Sequence, residues 1–471
     1  MITLTAIIHN KKITMKKIIG ALVILLSFQS MQAQDFEKVK TSILIAKFEN
    51  AKMEYDKVIT KKPTLKESAE AYYWKSRIYS GINKETSLAS KYPDAYDQIK
   101  TSLDEYIKAD KTLAIAKENG QDPFFDIYVK SFKDGVTAFN TKNWKVAAQN
   151  FDQAVYYSDI VFAQGWAASK QKFDTTSIIY AGYSNQNAGN VDATIVYYRR
   201  LIDSKIMTPE LVEVYRYLLL QLTLKKDKAN FDTYYAISEA TYPKESWVEY
   251  KTEYIDKNLN TDEKIKLYDE TAASGKLTEL ELQMYGDMFM AGKNADGVSA
   301  EKGDYYISKA AEAYKKAFTL NTKNFAAAFN VGISYYNQFT LLDEKVSDNI
   351  RALQTLNSNK PAPSKDPKKK IAMDAQFKAQ QDSIKKLNVV LEAPIKEKVD
   401  AAIEWIEKAY AVIKDKDKLE RAEKNVASRS VDFLATLYGY KRDKVRGKDQ
   451  KAYDEFDAKY NAYDKLHDKY Q

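Results

Sequence analysis

The chain has no cysteine in 471 residues and only two histidines, His9 and His467. Without thiols it has no disulfide, no cysteine-ligated zinc and no thiol nucleophile. A bacterial lipid anchor is excluded too, because it needs a cysteine at the new N-terminus. His9 lies in a segment expected to be removed. The one remaining histidine can neither build a histidine-cluster metal site nor complete a Ser/His/Asp set. Glycine (15) and proline (9) are scarce. An all-β chain needs a turn every ~8–12 residues, so this scarcity argues for helix. A dominant charge of one sign is missing as well. The formal net charge is +8, but Lys11, Lys12, Lys16 and Lys17 precede the expected cleavage point. The rest holds 69 basic and 65 acidic residues, interleaved along its length. Nucleic-acid binding wants a concentrated basic face. None is visible outside one lysine-rich loop, so no nucleic-acid partner is expected. No cofactor is expected either.

What is present suits helices: 45% hydrophobic residues, with lysine, glutamate, alanine and leucine abundant. Tyrosine is unusually common, 35 against 19 phenylalanines. At the N-terminus, Met15-Lys16-Lys17 and the apolar run from Ile18 to Phe28 read as a secretory signal. The run is shorter than the ~20 residues that span a bilayer. Ala33 offers a cleavage site before Gln34, and residues 1–14 read as an upstream extension. No later segment is long and apolar enough to span a membrane. A soluble, exported mature chain is expected.

A pattern of small and large residues recurs at helical spacing. Ala51, Tyr55 and Val58 precede Pro63. Gly135, Ala147, Phe151 and Ala154 repeat the theme, with Trp144 three residues before Ala147. Ala310, Tyr314 and Ala317 repeat it again, and Val331, Gly332 and Tyr335 open a further unit. The physics is close approach: two helices touch where a side chain is small, and a neighbouring large side chain fills the hole.

This pattern resembles the tetratricopeptide repeat, a pair of antiparallel helices about 34 residues long. The resemblance implies an all-α solenoid of about nine hairpins. It places small residues at repeat positions 8, 20 and 27 and a large one at 24. Ala51, Tyr55 and Pro63 match positions 20, 24 and 32. Gly135, Ala147, Phe151 and Ala154 match 8, 20, 24 and 27. Ala310, Tyr314 and Ala317 match 20, 24 and 27, and Gly332 and Tyr335 match 8 and 11. Thr322 stands where proline is usual, and Ala328 where tryptophan is. Weaker hairpins are expected over 69–80, 176–204, 209–241, 245–274, 277–319 and 418–471. The expected organisation is a leader over 1–33, N-terminal repeats over 34–275 and C-terminal repeats over 276–471.

The spacing breaks once. Between Tyr336 and Ala402 the repeat takes 66 residues to cover what normally takes eight. Helical periodicity continues on both sides of residues 358–370, which hold three prolines and five lysines. That stretch is expected to be non-helical, and Ala402, Ile406 and Ala409 then recover positions 20, 24 and 27. An elongated helical hairpin is therefore expected over 337–401. Residues 330–337, with the form Asn-x-Gly-x-x-Tyr-Tyr-Asn ahead of an insertion, resemble exported tetratricopeptide proteins of Bacteroidota. The leader, ending Gln-Ala-Gln, and the lack of cysteine resemble periplasmic proteins of that group, so a periplasmic location, or one peripheral to the outer membrane, is expected.

No constellation for catalysis stands out. Asp262-Glu263 and Glu404 with Glu407 read as solvated helix faces. Residues 294–297 resemble part of a calcium loop but lack its third acidic position and a closing glutamate at the right distance. The resemblance instead implies a concave groove lined by the first helix of each unit. Val129, Phe132, Val136 and Phe139 would line it in one unit, and Ala326, Phe329, Ile333 and Tyr336 in a later one. Both sets are apolar, so the expected partner is an apolar segment of another protein or envelope complex. A glycan- or envelope-polymer-binding module is the alternative, since tyrosine can stack on sugar rings.

Overall fold

A computed structural model describes residues 35–470. The expected leader, residues 1–33, lies outside them. The described residues form α-helices and short 3₁₀ turns, with no strand among them.

The chain divides into two compact units. One runs to Gln221 and takes in Ala236–Tyr242; the other comprises Leu222–Tyr235 and Pro243–Gln471. The division thus passes near residues 221–243, and the expected joint near Gly275 lies inside the second unit. The first unit contains α1 (Glu37–Leu44), α2 (Phe48–Lys61), α3 (Ala69–Lys84), α4 (Thr86–Lys91) and α5 (Ala95–Ala109). It continues with α6 (Ala114–Asn119), α7 (Asp122–Asn140), α8 (Trp144–Ala163), α9 (Thr175–Asn187) and α10 (Val191–Asp203). The division crosses α11 (Val212–Leu224) and α12 (Lys228–Thr241). The second unit holds α13 (Val248–Asn258), α14 (Thr261–Ala272), α15 (Glu279–Gly292) and α16 (Ala300–Leu320). It ends with α17 (Phe325–Ser358), α18 (Pro367–Ile413), α19 (Arg421–Val445) and α20 (Gln450–Asp464). Set aside the short α4 and α6, and the helices follow one another in nine pairs, the tetratricopeptide-like arrangement.

Four of the nine hairpins close on one recurring contact. A side chain on Gly135 would stand 2.8 Å from the Phe151 ring, and one on Gly182 2.5 Å from the Tyr198 ring. One on Gly286 would stand 2.5 Å from the Tyr314 ring, and one on Gly332 would collide with Ile406. The glycines sit mid-helix, where they cost about 1 kcal/mol against alanine. They are tolerated because the helix backbone there is the floor on which the partner's large residue rests. Ala51, Ala147, Ala154, Ala310 and Ala317 have no exposed surface, and Tyr55, Phe151 and Tyr314 are buried beside them. Pro63 opens the 3₁₀ turn Pro63–Glu67 that ends the α2 hairpin. Tyr335 is half-buried, with the Lys315 and Lys398 ammonium groups 4.8 and 5.4 Å from its ring centre.

Tyrosine is common because it both fills a hole and latches a neighbour. Tyr157 donates to Asp104 at 2.5 Å, Tyr197 to Asp152 at 2.8 Å and Tyr314 to Asp287 at 2.6 Å. Tyr438 and Tyr463 both donate to Glu407 Oε1 at 2.9 Å, tying α19 and α20 to α18. Each bridge joins two helices and leaves the phenol ring in the core. Burial pushes the hydroxyls of Tyr157, Tyr314 and Tyr438 above the ordinary phenol range. They stay donors at any physiological pH.

Candidate functional site

The residues expected to line a groove are placed mostly between consecutive hairpins. Phe132 and Phe139 lie 5.8 and 5.1 Å from Tyr180 of α9, and Phe139 also lies 5.2 Å from Trp144. Phe329 is 2% exposed, under the Arg429 guanidinium at 5.0 Å. Tyr336 packs on Phe433 at 4.7 Å and on Phe339 at 5.8 Å. A ring of the next hairpin packs against each of these four; Phe329 is buried and the other three are half-buried. Val136, Ala326 and Ile333 are half-buried, and Val129 is exposed.

The element that stands apart is the α17–α18 hairpin. Its base is ordinary core. Phe339, Ile395, Val399, Ala402 and Ile406 are buried with Leu434 and Leu437 of α19. Outward from there Leu342, Val346 and Leu391 still touch that core, and beyond them the two helices face each other. Leu342, Val346, Leu353 and Leu356 of α17 and Phe377, Ile384 and Leu391 of α18 are half-buried. The seam advances by three and four residues in turn, the spacing of a coiled coil. Asn349 donates its amide to Asn388 Oδ1 at 2.7 Å across the seam, and Gln381 donates to Asn357 Oδ1 at 2.6 Å. A polar pair in an apolar seam fixes register. Pro394 interrupts α18 where the base meets the arm. Lacking an N–H, it leaves the Val390 carbonyl without its i+4 donor.

The tip is shorter than its composition suggests. Helix α17 runs to Ser358, and only residues 359–366 are non-helical. The expectation that all of 358–370 is non-helical is corrected here. Pro367 stands at the first position of α18, where its missing N–H is unneeded and its φ is already helical. The Asp366 carboxylate caps the helix by accepting from the Lys368 N–H at 2.9 Å. At the tip the Lys360 ammonium lies 5.0 Å from the Phe377 ring centre and 3.4 Å from Asp374.

Charge is concentrated there too. Residues 358–386 carry eight lysines and three aspartates, +5 in all. From residue 35 onward, the whole chain holds 69 basic and 65 acidic residues. The tip therefore accounts for its entire net positive charge. The single histidine among the described residues is remote from this. His467 meets Asp432 at 2.6 Å, and that hydrogen bond holds its pKa above the ordinary value. Among the described residues no group of three or more acidic or histidine side chains could hold a metal ion. No helix among them is long and apolar enough to cross a membrane.

No protein-family model and no curated protein matches the chain. Solved structures that match include the P58(IPK) TPR domain, at 10% identity over 86% of this chain and 98% of that one, with a TM-score of 0.25. Another is the human IFIT1 dimer with m7Gppp-AAAA, at 13% identity over 92% of this chain and 88% of that one, with a TM-score of 0.20. Superpositions this loose carry no argument. The class, an all-α array of tetratricopeptide-like hairpins, rests on the recurring glycine contact and the helix pairing.

Proposed function

We propose that this chain is a non-catalytic periplasmic scaffold that mediates protein–protein interaction through its stacked hairpins, with the α17–α18 arm as the element that meets the partner. The observation that carries this reading is the arm itself. Gly332 and Ile406 make the standard hairpin contact although 74 residues separate them, against 16 for Gly135 and Phe151. The contact that closes the hairpin lies at its base, below the arm, so closure gives no reason for the arm's length. The signal-like segment at 15–33 supports export. The tyrosines that suggested sugar stacking include Tyr73, Tyr106, Tyr157, Tyr198, Tyr215, Tyr268 and Tyr314, all of them fully buried. Those rings are not available to a glycan, whereas Tyr156 and Tyr305 are exposed.

The test is in-cell crosslinking with co-purification, comparing the full chain with one lacking residues 350–387. Because Asn349 faces Asn388, a short glycine turn can join the cut ends in register. The expected result is a protein partner that co-purifies with the full chain and is lost on truncation. Retention of the partner by the truncated chain, or saturable binding on a glycan array, would overturn the reading.

A further inference from the structure

The arm buries only one side of α18. Beside the seam, Met373, Gln380, Leu387 and Pro394 recur at every seventh position. The next row round holds Gln376, Ser383 and Val390, and the row beyond it Ala372, Ala379 and Ala393. Lys386 is the one charged residue among these rows between residues 372 and 394. A helix face in water is ordinarily charged, and the opposite flank of α18 carries Lys378, Asp382, Lys385 and Lys396 beside the exposed Ile371 and Val389. Leu387 is 55% exposed and Val390 72% exposed. At its outer end the uncharged face runs into a cleft of about 680 Å³ between α18 and the tip loop. Met373, Gln376 and Phe377 form one wall of the cleft, and Lys360, Pro361 and Pro363 the other.

We propose that this outward face of α18, from Ala372 to Pro394, docks an acidic amphipathic helix of a partner protein. The inference rests on the arm being the partner site. Heptad-spaced apolar residues beside small ones are what a second helix packs on, because alanine lets the backbones approach. The cleft receives a large side chain or the end of that helix. Charge selects the occupant. The tip carries +5, and the cleft is lined by Lys360 and Lys370 against the single Asp374, so a helix with acidic flanks gains where a basic one loses. A second copy of the arm would set one +5 segment against another. A bilayer is a poorer fit: alanine and glutamine contribute little to insertion, and the face has no aromatic anchor.

The test uses the full-length chain in cells that produce it naturally, with a photoreactive phenylalanine analogue in place of Val390 or, on the charged flank, of Lys385. The expected adduct at position 390 maps to another protein, within a net-acidic segment whose apolar residues recur every three or four. The yield at position 385 should be at least tenfold lower. With the probe moved to Ala379, adding Leu387→Lys and Val390→Lys should cut the yield at least tenfold while helix content and Tm stay unchanged. An adduct with lipid, with a second copy or with a basic segment overturns the proposal, as does equal yield at position 385 or none at position 390. If truncation of the arm loses the partner but position 390 gives no adduct, the scaffold reading stands and this inference fails. If the truncated chain keeps the partner, the scaffold reading fails first.

Discussion

Two hairpins make the same contact at very different lengths. In α7–α8, Gly135 meets Phe151 across 16 residues; in α17–α18, Gly332 meets Ile406 across 74. Gly286 and Tyr314 stand between them at 28. The contact, not the chain length between its partners, defines the hairpin. Whatever lies beyond the contact can lengthen freely, because a connection that leaves the core and returns to it costs only slowly more entropy with length. In α7–α8 nothing lies beyond but a tight turn. In α17–α18 an arm does, and its outer side chains are half-buried or exposed where those of the base are buried.

The sharpest break of this comparison is to remove one aromatic ring from each region. Phe151 is fully buried and packs on Phe132, Phe139 and Tyr180. Phe151→Ala should cost about 3–5 kcal/mol, the range for a large core truncation. Phe377→Ala in the arm should cost less than about 1 kcal/mol, since its ring is half-buried on a two-helix seam. Urea melts of both variants measure this. Equal losses would mean that the arm is core.

The glycines give the next largest effect. Gly→Ala in a mid-helix position normally gains about 1 kcal/mol. At Gly332 the added carbon would meet backbone as well as side chain, with Ile406 N at 3.1 Å and Ala402 O at 3.3 Å. Backbone cannot swing away, so Gly332→Ala should lose about 1–3 kcal/mol. At Gly135 the nearest atoms all belong to the Phe151 ring, which can tilt, so Gly135→Ala should lose less. If both variants gain stability, the shared contact does not govern closure.

These contacts were legible in the sequence because spacing carries them. Gly332 and Ile406 could be paired across the insertion by counting repeat positions on each side. Other features were not legible, for physical reasons. The turn after α9 is marked by Gly189, with a φ of 80°, but the equivalent turns after α7 and α11 use Lys142 and Lys226, both with a φ of 57°. Lysine rarely adopts that region, so composition hides the turn. The covering of Phe132 by Tyr180 and of Tyr336 by Phe433 depends on the neighbouring hairpin, which the pattern of a single unit does not contain. The start of α18 at Pro367 turns on a cap by Asp366, read more easily as another loop residue.

A smaller effect follows from the latches that distinguish these plugs. Phe151 has no hydroxyl, but its neighbour Asp152 accepts from Tyr197 and from the Asn185 amide, both at 2.8 Å. Burial raises the Asp152 pKa above its ordinary value, against the opposing pull of those two hydrogen bonds. A raised carboxylate pKa means the folded state disfavours the charged form. Its destabilising contribution is therefore fully present above the folded pKa and vanishes as pH falls below the unfolded one. Asp152→Asn keeps an acceptor oxygen and loses the charge. Its Tm should exceed that of the parent at pH 7, and the gap should close as pH falls through the acidic range. A gap that widens on acidification would reverse the sign of the argument.

The smallest effect on stability is expected from the largest change. Removing residues 350–387 deletes most of the arm, yet it leaves Phe339, Ile395 and Val399 in the core with α19. It also leaves Asn349 opposite Asn388, so the seam ends on a hydrogen-bonded pair rather than on exposed leucines. The deleted segment takes the half-buried Leu353, Leu356, Phe377 and Ile384 with it, but these pack across the arm's own seam, so the core that remains loses little buried apolar area. Truncation also removes the concentrated tip charge, which repels itself. The two changes oppose each other, and the net shift should stay within about 0.5 kcal/mol, as for ordinary surface changes. Thermal melts of the two chains under one buffer decide it. A large loss would show that the outer arm is needed for the fold, and the contrast between α7–α8 and α17–α18 would then be one of size rather than of role.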